Sequence, residues 1–220
     1  ELRGEFDDYL AAVGRRDNLA RRRKWLAAQP GFRIARAERP EELPGALAEF
    51  FRLHRLRWEG EGGSQGVNTM EVRAFHRDAA HHLAESGRLR LYTLFLGAQA
   101  LASIYAIVGR ERFYFYQSGY DPAWARRSVG LVLLGKTIED AFSEGREAYE
   151  FLRGTEPYKL EWAGARRHTE GVRFVNRTLA GAAWLAGSEL ADAAKGVARR
   201  VLGERRWEEL RRARRRRGAS

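Results

Sequence analysis

With 220 residues, 44% of them apolar and 11% aromatic, the chain can fill one core with appendages and is too hydrophobic to be a disordered protein. It has no cysteine, which excludes disulfides, thiolate metal sites and a cysteine nucleophile. The net charge of +11 suggests an anionic partner, yet ten arginines against three glutamates between Arg199 and Arg217 supply +7 of it, so the excess is concentrated at one end.

The chain begins at Glu1 without an initiator methionine, which fits a piece of a longer protein. Residues 5–28 carry Phe6, Tyr9, Leu10, Val13, Leu19, Trp25 and Leu26 as an apolar stripe and read as one helix, ended by the "QPGF" turn. "FRIARA" (32–37) reads as a short strand. Leu43, Leu47, Phe50, Phe51, Leu53 and Trp58 recur at helical spacing, and the glycine-rich stretch 59–68 follows as a loop. A further helix fits 70–86.

The period then changes to two. "RLRLYTLFL" (88–96), "QALASIYAIV" (99–108) and "RFYFYQS" (112–118) read as three antiparallel strands joined by tight turns at Gly97-Ala98 and at 109–111. An amphipathic helix follows at 128–144, then strands at 147–154 and 172–180, and alanine-rich helices run to the basic end. This order predicts an α+β fold with a mixed, mostly antiparallel sheet flanked by helices.

The junction at 126–130 combines Arg126, Arg127, an N-cap candidate in Ser128, then Val129 and Gly130. A helix N-terminus with a close-approach glycine and two cations suits a pyrophosphate. The competing reading is an ordinary capped helix beside two surface arginines. The five histidines lack the paired i, i+4 spacing of a helical zinc site, so no metal is expected.

These features resemble the GNAT superfamily of acyltransferases, whose Arg/Gln-x-x-Gly-x-Gly/Ala element is matched by Arg127 and Gly130, with Val132 in place of the second small residue. More narrowly, the chain is similar to the CelD-type, FemAB-like branch. The helical "F-x-x-L-H-x-x-R-W" is present as Phe50, Leu53, His54, Arg57 and Trp58. A "G-x-D" follows as Gly119 and Asp121, and "YEFLRGTEPYKLEW" places Gly154, Tyr158, Lys159 and Trp162 in register. Val129 stands for the usual proline and Glu150 for the usual aspartate.

The resemblance implies a GNAT-like acyl-CoA N-acyltransferase domain over 31–186. It is preceded by a linker helix (1–30) from a missing first half and followed by a basic helical tail (187–220). It implies acyl-CoA as co-substrate, held by Gln117, Ser118, Gly119 and residues 126–130. Lys159 would stabilise charge, Tyr158 return a proton to sulfur and Glu150 serve as base, each also readable as a packed or surface residue. His54, Arg57, Trp58 and Trp162 would meet the acceptor, although Trp58 equally fits the core. The implied activity is acyl transfer to an amine or hydroxyl in cell-envelope or exopolysaccharide metabolism. Alternatives are a FemAB-like transferase using aminoacyl-tRNA and a degenerate, non-catalytic binding module. No apolar run approaches the ~18 residues of a membrane helix, so a cytoplasmic protein is expected, with the tail available to anionic membrane or tRNA.

Overall fold

Two short helices open the chain where the apolar stripe predicts one. The computed structural model describes residues 1–59, 67, 69–154, 156–168, 170–172 and 174–217. Helix α1 (Phe6–Ala12) ends where Gly14 takes φ +65°, with Gly14 N–H bonded to Ala11 O and Arg15 N–H to Leu10 O. That left-handed cap closes the helix, and α2 (Arg16–Ala27) restarts at once. Leu10, Leu19 and Leu26 are buried, so the segment expected as a linker contributes directly to the core.

Strand β1 (Phe32–Ala37) leads through a 3-10 turn into α3 (Leu43–Glu59), and α4 (Met70–Glu85) follows, capped by Thr69 Oγ1 on Val72 N–H. The glycine-rich loop expected at 59–68 lies mostly outside the described residues. Strands β2 (Leu89–Leu96), β3 (Gln99–Val108) and β4 (Arg112–Tyr120) form the expected meander. A 3-10 segment (Pro122–Arg127), α5 (Val129–Ser143) and β5 (Ala148–Glu150) complete the core.

Among the described residues the five strands form one sheet in the order β1-β2-β3-β4-β5, antiparallel except for the parallel β4–β5 pair. Alternation along the strands gives two apolar faces. Tyr92, Leu94 and Ile104 join the cluster under α1, α2 and α5, while Leu91 and Tyr105 join Phe50, Phe51 and Leu47 under α3 and α4. Fully burying a leucine or phenylalanine contributes about 1.5–3 kcal/mol, which fixes the register on both faces.

Two features of this sheet position the site. The β3–β4 register slips between Tyr105 and Ala106, leaving Tyr116 as an extra residue in β4. Pairing of β4 with β5 covers only Arg112–Tyr114, so among the described residues that edge of β4 has no strand partner beyond Tyr114. The strand expected at 147–154 is accordingly three residues long.

The chain continues through α6 (Pro157–Trp162), and the compact unit ends at Ala165. Among the described residues, the strand expected at 172–180 does not form. Residues 174–178 are irregular, Val172 and Phe174 are exposed and a helix begins at Leu179. With Val172, Phe174 and Leu179 all exposed, the alternation buries neither face, and burial of one face is what holds such a pattern as a strand. Residues 166–220 make a separate unit whose helix α7 (Leu179–Arg217) is broken at Gly203 (φ 71°, ψ 159°). Its Trp184, Leu190, Val197 and Val201 are exposed.

Candidate active site

The unpaired edge of β4, the start of α5 and the short helix α6 enclose a cleft of about 240 Å³. Its floor is apolar, from Ala102, Ile104, Phe115 and Leu134. Its rim carries Ser118, Gly119 and Tyr120 from β4, Ser128 to Leu131 from α5, and Tyr158, Glu161 and Trp162 from α6, with Arg57 reaching in from α3.

The α5 entry differs in one detail from the expected cap. Ser128 sits in the left-handed region at φ 55°, and its side chain caps nothing. Its carbonyl accepts the first intrahelical bond, from Val132 N–H at 3.0 Å, so the N–H groups of Val129, Gly130 and Leu131 precede the helix ladder. A non-glycine residue in this conformation costs about 1–3 kcal/mol and marks a position held by its surroundings. Space above Gly130 is open, since a Cβ there would meet only the Tyr120 ring at 3.6 Å. The two arginines point elsewhere. Arg127 stacks 3.9 Å over the Trp25 ring, Arg126 is exposed, its carbonyl bonded by Arg22, and neither lines the cleft.

Arg57 donates to Ser118 Oγ at 2.7 Å and lies 5.0, 5.4 and 5.5 Å from the rings of Trp58, Tyr120 and Tyr158. Burial pushes the Tyr158 phenol above its ordinary pKa, and the nearby Arg57 charge limits the rise. The phenol therefore stays protonated at neutral pH.

The other expected residues divide. Lys159 is buried, and its ammonium donates to Arg153 O at 2.6 Å and pairs with Glu156 at 3.0 Å. Glu150 pairs with Arg112 across the β4–β5 edge. Neither lines the cleft. Gln117 lies beside the His54 ring, past the β4 bulge. His54 is fully buried with both ring nitrogens lacking a well-formed hydrogen bond, and burial lowers its pKa to about 4, so it is neutral. Trp58 packs against His54, and its indole N–H has no hydrogen-bond partner among the described residues.

Glu161 escaped the sequence reading. It is the only carboxylate lining the cleft among the described residues and pairs with Arg15 at 2.7 Å. Its i, i+3 spacing from Tyr158 on a six-residue helix is the signal that places both on one face. Helix α6 is held from behind as well, by a hydrogen bond from Tyr9 Oη to Trp162 O at 2.5 Å.

The family model for an acetyltransferase (GNAT) domain matches residues 14–160. The chain belongs to this GNAT acetyltransferase family, and it is an enzyme of the N-acetyltransferase kind. No curated protein matches it. A GCN5-related N-acetyltransferase from Ralstonia eutropha JMP134 shares the GNAT fold at 18% identity over 66% of this chain and 99% of that one, with a TM-score of 0.50. An aminoglycoside acetyltransferase from an uncultured soil metagenomic sample, solved with sisomicin, is 15% identical over 67% and 97% with a TM-score of 0.49. A predicted acetyltransferase from Clostridium acetobutylicum, solved with acetyl-CoA, is 10% identical over 65% and 95% with a TM-score of 0.49. In this GNAT domain no group of three or more histidine or acidic side chains is placed to hold a metal ion among the described residues.

Proposed function

We propose that the chain moves an acyl group from acyl-coenzyme A to an amine, within the cleft between β4, α5 and α6. The observation that carries this reading is the convergence, in one cleft, of the free N–H groups opening α5, the unpaired edge of β4 and the protonated Tyr158 phenol. Pyrophosphate would lie at Val129 to Leu131, where the helix dipole favours negative charge. N–H groups on the open edge of β4 around Ser118 and Gly119 would meet the thioester oxygen as it becomes an oxyanion, and one such donor is worth about 10²–10³ in rate.

In the reaction the amine nitrogen bonds to the thioester carbon and the carbon–sulfur bond breaks. Glu161 takes the proton lost by nitrogen, and Tyr158 gives its proton to the leaving sulfur. Exchange with solvent restores both groups, so the proton balance closes. Lys159 acts through structure, holding the segment before α6 by its bonds to Arg153 and Glu156. Glu150, paired with Arg112, supports the sheet edge.

The "F-x-x-L-H-x-x-R-W" and "G-x-x-x-Y-K-x-x-W" elements support membership of the CelD-type, FemAB-like branch and hence a role in cell-envelope or exopolysaccharide metabolism. The aminoacyl-tRNA alternative, and contact with anionic membrane, rest on the basic segment from Arg199. The direct test is calorimetric titration with coenzyme A. Gly130→Asp should abolish binding while circular dichroism stays unchanged. Unchanged affinity in a folded Gly130→Asp protein places the donor elsewhere.

A further inference from the structure

We infer that the acceptor carries an oxyanion, a carboxylate or a phosphate ester, beside the amine that is acylated, and that Arg57 receives it. The inference rests on the donor reading of the cleft given above.

Arginines on α3 have two fates. Arg52 pairs with Glu49 at 2.7 Å and also donates to Ala100 O at 2.8 Å, and Arg55 pairs with Glu59 at 3.4 Å. Arg57 turns into the cleft and has no carboxylate within ion-pairing distance among the described residues. Its polar partners there are Ser118 Oγ and the Tyr158 hydroxyl, both uncharged. The cleft's carboxylate, Glu161, is already balanced by Arg15. Among the described residues, the rim therefore holds one uncompensated cation.

Its setting selects the ligand. The guanidinium lies among the rings of Trp58, Tyr120 and Tyr158, a setting that suits stacking across its faces and leaves donors in its plane. A planar fork of N–H donors matches a carboxylate or phosphate bidentately. A polycationic acceptor would meet repulsion at the same place. With Glu161 across the cleft, such an acceptor would set its amine towards the proposed base while its oxyanion meets Arg57.

The test uses the full chain with acetyl-CoA as donor and matched acceptor pairs, following thiol release. One arm compares amino acids with their carboxamides, and the other compares glucosamine 6-phosphate with glucosamine, which separates carboxylate from phosphate. The anionic member of at least one pair should be favoured about 10- to 100-fold in kcat/KM, the size of a charge-assisted bond. Arg57→Met should erase that preference by raising KM for the anionic member alone, and Arg57→Lys should restore part of it. Calorimetry of the same pairs on the coenzyme A-loaded protein reads the preference where turnover is slow. Equal preference within both pairs, faster turnover of sisomicin than of any anionic acceptor, or an Arg57→Met loss shared equally by both members overturns the inference. Failure to bind coenzyme A at all overturns the donor reading instead.

Discussion

A Cβ built on Gly119 would stand 2.2 Å from the amide nitrogen of His54 and 2.4 Å from the carbonyl carbon of Leu53. Strand β4 and helix α3 touch backbone to backbone at that point. The contact sets the distance between the strand edge that faces the donor and the helix that carries Arg57. Gly119→Ala should therefore separate the two elements and cost about 3 kcal/mol or more. Urea unfolding measures the loss, and a change under 1 kcal/mol would show that α3 yields easily.

Tyr158→Phe removes the proton proposed for the leaving sulfur and keeps the ring that packs on Phe115. Turnover should fall about 10²–10⁴-fold with stability and coenzyme A affinity little changed. Single-turnover kinetics with a thiophenyl ester donor, whose thiolate needs no proton, should recover most of the loss. A rate unaffected by the substitution assigns the proton to solvent.

Lys159→Met leaves Arg153 O and the Glu156 carboxylate without their ammonium in a buried place. The expected cost is about 1–3 kcal/mol of stability, read as a lower Tm. Activity should fall in step with the population of the ordered α6. A variant of undiminished stability whose turnover alone collapses would return Lys159 to direct charge stabilisation.

His54 is buried and neutral with its pKa lowered to about 4, against an ordinary 6.5 in the unfolded chain. Between those values the unfolded state binds a proton that the folded state does not. Stability therefore declines as pH falls from 6.5 towards 4, by on the order of 3 kcal/mol in all, and is flat above 7. Burial also lowers the pKa of His76, which adds to the same slope. Unfolding free energies at pH 7, 6 and 5 should show a shallower decline in His54→Leu than in the parent protein. Identical slopes would mean that His54 takes up its proton in the folded state.

The sheet was legible because its strands bury one or both faces, so Tyr92 and Leu94 in β2, and Phe113 and Phe115 in β4, repeat with period two. Helix breaks were harder to see. The stripe from Phe6 to Leu26 has helical spacing throughout, and only the left-handed cap at Gly14 splits it. The strand expected at 172–180 shows the opposite limit, since alternation predicts a strand only where one face is buried, and Val172, Phe174 and Leu179 are exposed. Within the site, Arg57, Ser118, Tyr158 and Gly130 were named from sequence and do meet in one cleft. Lys159 and Glu150 carried the right chemistry but met nearer partners, Glu156 and Arg112. Glu161 was hidden because a carboxylate on a short polar helix looks like any surface charge until its neighbours are known.

The bond from Tyr9 to Trp162, and that from Arg15 to Glu161, bear on how this domain can be moved between proteins. The segment shared with the family stops short of Glu161 and Trp162 and begins after Tyr9. The unit of common descent is thus narrower, at both ends, than the unit that holds the proposed acid and base in place. A graft cut at the borders of homology would transfer the sheet and the donor-facing helix intact, and would leave Tyr158 on about one turn of helix, without Glu161 and with its brace removed. Portability of the chemistry requires carrying the amino-terminal helices along with the fold.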